Sequence, residues 1–303
     1  MNDFSLLKAF LDKNKIDYSE NTVLKEYTTF KIGGCTPFLI NVKNENEITI
    51  LVKFLSNNNI NFFVLGKGSN LLISDDGIEY PVIKLSNDFS KIIVRNTEII
   101  AFSGASLSTF CKTACENGLS GAEFAFGIPG TVGGAIYMNA GAYDGEISNI
   151  IISVKALDKK GNIKEFSKEE LNLSYRKSVF QKDEFIILSA KFKFEKSTIE
   201  NIKTKMDNFL NKRKEKQPLE FPSAGSTFKR PEGTFAGSLI EKCQLKGYSV
   251  GGAMISEKHA GFIINYNNAT ALDVVNLIES VQKEVKNKTG FFLEPEVKLI
   301  GNF

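Results

Sequence analysis

A single histidine, His259, serves a chain of 303 residues. It lies far from any nucleophile elbow, which argues against a Ser–His–Asp hydrolase. The four cysteines, Cys35, Cys111, Cys115 and Cys243, show no zinc-type spacing. Cys111 and Cys115 stand four apart on a predicted helix and share one face. With one histidine in the chain they read as buried free thiols of a reducing compartment, and no metal site is expected. The formal net charge of +3 is too small for the broad basic field of a nucleic-acid-binding protein. No apolar run approaches a membrane span. Met1-Asn2-Asp3-Phe4 lacks the basic and apolar regions of a signal peptide. The expectation is a cytoplasmic protein, inserted in no membrane. Two nucleotide loops are missing as well. Gly66-Lys67-Gly68-Ser69 lacks the spacing of a P-loop, and Gly66, Gly68 and Leu71 leave the third glycine of a dinucleotide fingerprint absent.

What the chain does have is glycine in clusters. Seven glycines fall between Gly121 and Gly145, in GAEFAFGIPGTVGGAIYMNAGAYDG. Without a Cβ, backbone amides approach a ligand closely, and several pointing one way form a nest for phosphate oxygens. Pro129 stiffens one arm of the turn, and Ile136, Tyr137 and Met138 offer apolar surface for a flat ring. A second turn, Gly66-Lys67-Gly68-Ser69-Asn70, follows the apolar run Phe62-Phe63-Val64-Leu65. Two such turns at strand ends favour ligand binding over mere tight packing.

Residues 3–14 read as an amphipathic helix through Phe4, Leu7, Phe10 and Leu11. A strand at 38–42, a helix at 45–58 and a strand ending at Gly66 give a β-α-β lobe. Short strands follow up to Ser103, then a helix over 106–117 stopped by Gly118. Runs 150–158 and 163–166 predict a hairpin across Lys159-Lys160-Gly161, and 185–194 another strand. Composition shifts near Glu195, which predicts domains at 1–195 and 196–303. The second begins with a helix at 197–216 whose basic end reads as a solvated face at a helix C-terminus. Lys216 stands nearest the following loop and a ligand. Helices at 236–243 and 270–288 and strands at 261–265 and 293–300 complete an α+β lobe.

Three polar points stand out. In Ser174-Tyr175-Arg176, Arg176 can offer a bidentate fork to a carboxylate. Ser226 follows a glycine in a loop between Pro222 and Pro231, and Glu296 stands at the entry of the predicted last strand. Taken singly, they read as a capping arginine, a turn serine and an edge-strand glutamate.

Together with the glycine turns they carry a resemblance. Leu65 to Asn70, Gly127-Ile128-Pro129-Gly130-Thr131-Val132-Gly133-Gly134-Ala135, Asn139-Ala140-Gly141-Ala142, Ser174-Tyr175-Arg176 and Lys216-Gln217-Pro218 occur in that order. The Ser223 to Pro231 loop, Lys258-His259-Ala260-Gly261-Phe262 and Glu294-Pro295-Glu296-Val297 follow. This ordered set resembles the UDP-N-acetylenolpyruvoylglucosamine reductases, in the shorter form without an extra tyrosine-bearing loop. The resemblance implies an α+β chain with an FAD-binding domain of the vanillyl-alcohol oxidase type, then a smaller substrate-binding domain. It implies that Gly66, Lys67, Gly68, Ser69 and Asn70, with Gly127, Ile128, Pro129, Gly130, Thr131, Gly133, Gly134, Ala135, Asn139 and Gly141, bind FAD non-covalently. It also implies a catalytic set of Arg176, Ser226 and Glu296. Tyr175, Lys216, Lys229 and Arg230 are expected at the UDP-N-acetylglucosamine enolpyruvate substrate, NADPH is the expected reductant, and a monomer is expected.

Overall fold

The helices of the computed structural model, which describes residues 4–182 and 185–303, mostly begin at short polar side chains that accept from an orphan backbone amide. In chain order, the elements used below start with α1 (Ser5–Asn14), β1 (Asp17–Val23), β2 (Cys35–Val42), α2 (Glu45–Asn57), β3 (Phe63–Leu65) and β4 (Leu71–Ile73). Next come β5 (Val82–Leu85), β6 (Ile92–Arg95), β7 (Glu98–Phe102), α3 (Leu107–Glu116), α4 (Val132–Tyr137), β8 (Ile151–Leu157), β9 (Ile163–Ser167) and β10 (Ile186–Lys193). The rest are α5 (Ile199–Lys216), β11 (Ser223–Ser226), α6 (Ala236–Lys242), β12 (Ser249–Val250), β13 (Ala253–Ile255), β14 (Phe262–Asn265), α7 (Ala271–Thr289) and β15 (Lys298–Ile300). Side-chain oxygens of Asn44, Ser106, Thr131 and Thr270 cap α2, α3, α4 and α7. Asp3, the first residue of the predicted N-terminal helix, lies outside the described residues.

Two compact units divide the chain. The first takes the segment ending at Ser19, Phe38–Gly66 and Tyr80–Lys212; the second takes Glu20–Pro37, Lys67–Glu79 and Arg213–Phe303. These compact units interleave along the chain. The reason lies in what each segment buries. Ile202 and Met206 of α5 pack into a core of the first unit, whereas Phe30, Ile32 and Leu72 pack into that of the second.

The first unit has two cores. One lies under the sheet β1-β2-β5-β3, in which β2 and β3 both run parallel to β5. Helix α2 buries Ile48, Leu51, Val52 and Leu55 there, at the spacing of one helix face. The other lies under the antiparallel sheet β9-β8-β10-β7-β6, which takes Phe110 and Ala114 of α3 and Val132 and Ile136 of α4. Strands β8 and β9 form the predicted hairpin, with Gly161 at φ +76° in its turn.

The second unit packs α7 on the antiparallel sheet β11-β14-β13-β12, while β15 pairs in parallel with β4. The strand predicted at 293–300 shortens to β15, because Pro295 has no N–H to give a ladder. Glu296 consequently precedes the strand. Cys111, Cys115 and Cys243 are buried free thiols, but Cys35, at the start of β2, is exposed. Burial pushes the Cys111 thiol far above its ordinary range. Among the described residues, no helix is long and apolar enough to cross a membrane.

Candidate active site

In the first unit the glycine-rich run meets the end of β3. A Cβ built on Gly66 would stand 2.9 Å from the Thr131 hydroxyl oxygen, so the two segments touch backbone to side chain. The run is fixed by its own amides. Ile128 N–H donates to Ala125 O (3.0 Å), Gly133 N–H to Ser103 O (2.8 Å) and Ala135 N–H to Thr131 O (2.9 Å). Gly134 N–H donates to the Thr131 hydroxyl (3.2 Å). These donors are spent inside the protein. The amides of Gly127, Gly130 and Thr131 find no acceptor among the described residues.

The Arg176 turn stands on the far end of α4. Ser174 and Lys177 exchange both backbone hydrogen bonds, which leaves Tyr175 and Arg176 at the tip. Arg176 has φ +55°; its guanidinium donates to Gly141 O (3.2 Å) and lies over the Tyr175 ring at 5.2 Å. Asn139, fully buried, donates to Ser174 O (3.1 Å) and accepts from Ser148 N–H (3.0 Å). Both polar atoms of Asn139 are thus committed to the protein, and so its contribution is to hold the turn.

In the second unit three predicted segments are stitched together. The amides of Lys67, Gly68 and Ser69 find no acceptor among the described residues. Gly68 O accepts from Thr29 N–H (3.2 Å). Thr29 in turn exchanges hydrogen bonds with Ser223 at the start of β11, N–H to carbonyl at 3.2 Å and hydroxyl to carbonyl at 2.7 Å. Strand β11 reaches Ser226 through a bulge, since Ser223 faces Ile264 while Ser226 faces Phe262. Gly225, at φ +77°, absorbs the extra residue. The turn presents Ser226 to solvent. Next to it, Thr227 O accepts from Glu296 N–H (2.7 Å), and Glu296 O accepts from the Asn70 amide (3.2 Å). Glu296 is 9% exposed. Ser226, Glu296 and the Lys67–Asn70 turn therefore share one neighbourhood.

The basic residues divide. Lys229 is ion-paired to Glu294, Arg230 lies 4.0 Å from the Phe235 ring, and Lys216 is exposed at the end of α5. His259 is half-buried, and its Nδ1 accepts from Gly261 N–H (3.1 Å). Burial is the largest influence and holds its pKa below the ordinary value of 6.5, against an opposing backbone hydrogen bond and with smaller contributions from nearby charges.

In each unit taken by itself, the residues fit part of a phosphate-bearing cofactor. The run of unspent amides Lys67 to Ser69 suits a pyrophosphate. Beside Gly133, the buried Ser103 hydroxyl has no hydrogen-bond partner among the described residues, as expected of an atom that serves a ligand. Ser103, Thr29 and Thr227 escape sequence reasoning. Only the Ser-Gly pair after an apolar run, at Ser103-Gly104, carries a local signal.

Comparison with known proteins gives a consistent result. Residues 36–167 match the model of an FAD binding domain, and 217–300 match that of the UDP-N-acetylenolpyruvoylglucosamine reductase C-terminal domain. The UDP-N-acetylenolpyruvoylglucosamine reductase of Caldanaerobacter subterraneus is 50% identical over 295 residues, 97% of either chain. That of Clostridium perfringens is 46% identical over 301 residues, 99% of this chain and 98% of its own. The crystal structure of the Thermus caldophilus enzyme of the same name superposes with a TM-score of 0.81 at 34% identity, covering 94% of this chain and 98% of that one. The chain belongs to the UDP-N-acetylenolpyruvoylglucosamine reductase family.

Proposed function

We propose that this oxidoreductase reduces the enolpyruvyl ether of UDP-N-acetylglucosamine to UDP-N-acetylmuramate in peptidoglycan precursor synthesis, with NADPH as reductant. The observation that carries the reading is the neighbourhood of Ser226, Glu296 and the unspent amides of Lys67 to Ser69. A proton donor, a buried carboxyl and a phosphate cradle meet there. We place the reaction in the cytoplasm and take the protein to act as a monomer. In this reading residues 1–195 chiefly serve the flavin and 196–303 the nucleotide sugar.

FAD, when bound, would supply a two-electron carrier between NADPH and the terminal carbon of the enolpyruvyl C=C bond. The chain's own residues handle the charge and the proton. Lys67, Gly68 and Ser69 of the second unit, and Gly127, Gly130 and Thr131 of the first, would offer backbone N–H groups to the cofactor's phosphates. Gly66, Ile128, Pro129, Gly133, Gly134 and Ala135 shape the cradle through close packing. Asn70, Asn139 and Gly141 anchor its surroundings. Negative charge that develops at the substrate α-carbon spreads into its carboxylate. Arg176 neutralises that carboxylate, and Glu296 faces it as a hydrogen-bonding partner. Ser226 gives its proton to the α-carbon; an enolate carbon is basic enough to take it within hydrogen-bond reach. Tyr175 lines the carboxylate end, and Lys216, Lys229 and Arg230 face the UDP phosphates. Lys229 exchanges Glu294 for phosphate in doing so.

Ser226→Ala tests the assignment. Bleaching of the flavin absorbance by NADPH should stay within about twofold of the parent, while formation of the product two hydrogens heavier slows by about a hundredfold or more. Equal loss in both would remove Ser226 from its role.

A further inference from the structure

Arg176 is a non-glycine residue at φ +55°, in a region such residues occupy only where their surroundings hold them. One side chain takes hold of the Arg176 carbonyl. Gln181 Nε2 donates to Arg176 O (2.9 Å) and to Tyr137 O (2.8 Å), so both amide hydrogens are used. Tyr137 is the last residue of α4, whose first turn lies in the glycine-rich run. Ser178 donates to the same Tyr137 carbonyl (2.8 Å) but does not touch Arg176. Asn139 and Gly141 add hydrogen bonds to Ser174 and the Arg176 guanidinium. The arginine turn is thereby clamped to the helix that begins at the cofactor cradle.

We infer that Gln181 is a positioning residue for the reductive step, holding the Arg176 turn on the end of α4 so that the guanidinium meets the substrate carboxylate. The inference rests on the function proposed above. Gln181 acts through the Arg176 backbone. Its two donors join the Arg176 and Tyr137 carbonyls, and a hydrophobic side chain of the same length would break that link while Tyr137 O kept its bond from Ser178. A free turn would still carry Arg176, but over many orientations, and orientation is what such a clamp contributes to rate.

The test uses the FAD-loaded full chain and the variants Gln181→Met, Gln181→Lys, Ser178→Ala, Arg176→Met and the double Gln181→Met/Arg176→Met. In Gln181→Met, flavin bleaching by NADPH should stay within twofold. Return of the flavin absorbance with the enolpyruvyl substrate should slow at least tenfold, and calorimetric affinity of the oxidised protein for that substrate should weaken. Gln181→Lys keeps a donor and should recover part of the rate. Ser178→Ala, which loses a bond to Tyr137 O alone, should stay within about twofold of the parent. Against the Arg176→Met background, Gln181→Met should cost less than twofold. An unchanged second half in a folded Gln181→Met protein overturns the inference. So does a full tenfold cost in the absence of Arg176, or equal loss in both halves. If Gln181→Met does not fold, Gln181→Lys and Ser178→Ala decide between clamp and scaffold: similar losses in both overturn it. Failure of the parent protein to turn over the enolpyruvyl substrate is a separate result and refutes the proposed function instead.

Discussion

Gly68→Ala should cripple cofactor binding, and the structure gives the size of the effect. Gly68 has φ +61°, and a Cβ built there would lie 2.3 Å from Tyr27 O and 2.9 Å from Thr28 Cα. Both neighbours are backbone and cannot rotate away. Left-handed backbone costs an alanine about 1–2 kcal/mol. Relieving the overlap requires the turn to retreat by about 1 Å from normal contact distance, and overpacking of that kind costs about 1–3 kcal/mol. Retreat also pulls on Thr29, whose N–H bonds Gly68 O. If half of the combined cost falls on the geometry that holds pyrophosphate, FAD affinity drops by about 2 kcal/mol, or roughly 30-fold. Calorimetric titration of apoprotein with FAD measures this, with a thermal melt of the apoprotein as control. A Gly68→Ala protein that melts with the parent and binds FAD within threefold of it would refute the reasoning.

Gly225→Ala separates strain from crowding. No atom lies within 4 Å of its Cβ position, yet φ is +77°, so the expected loss is the backbone term alone, about 1–2 kcal/mol. A melt reads that loss, and transient kinetics should show the enolpyruvyl step slowed, because the bulge that aims Ser226 relaxes. An unchanged melt and unchanged kinetics would contradict this. His259 predicts a pH effect. Its folded pKa lies below the ordinary 6.5, so below that pH the unfolded chain binds a proton that the folded chain refuses. The stability contribution is therefore complete above 6.5 and is lost as pH falls towards and through the folded pKa. Urea unfolding between pH 7.5 and 5 should show a fall that His259→Gln reduces; identical pH dependence in both proteins would argue against it.

Much of this was legible in residue order, for physical reasons that differ between elements. Helix α7 announces itself by Val274, Leu277, Ile278, Val281 and Val285 on one face and by Thr270 and Gly290 at its ends. The hairpin β8–β9 is written in two alternating runs around Gly161. Pairing between distant segments is not written locally. Nothing in Leu71-Leu72-Ile73 says that β15 will lie beside it, or that Phe30 and Leu72 will share a core with α7, and so the interleaved units had no sequence signal. The last strand fell short because Pro295 removes a donor while apolar neighbours kept the pattern. At the site, Ser226 and Glu296 were legible through their motifs. Which amides stay unspent was not, since Gly133 and Gly134 look like Gly127 and Gly130 until Ser103 and Thr131 take their hydrogens. Gln181 lacked a signal too, because its partners are carbonyls and every residue has one.

The central claim is best tested by anaerobic spectroscopy of the flavin-loaded protein. NADPH should bleach the flavin absorbance, and adding UDP-N-acetylglucosamine enolpyruvate should restore it rapidly while one equivalent of UDP-N-acetylmuramate forms. Bleaching without restoration would contradict the substrate assignment. A protein that binds no flavin at all would contradict the reading of the glycine turns on which the site is built.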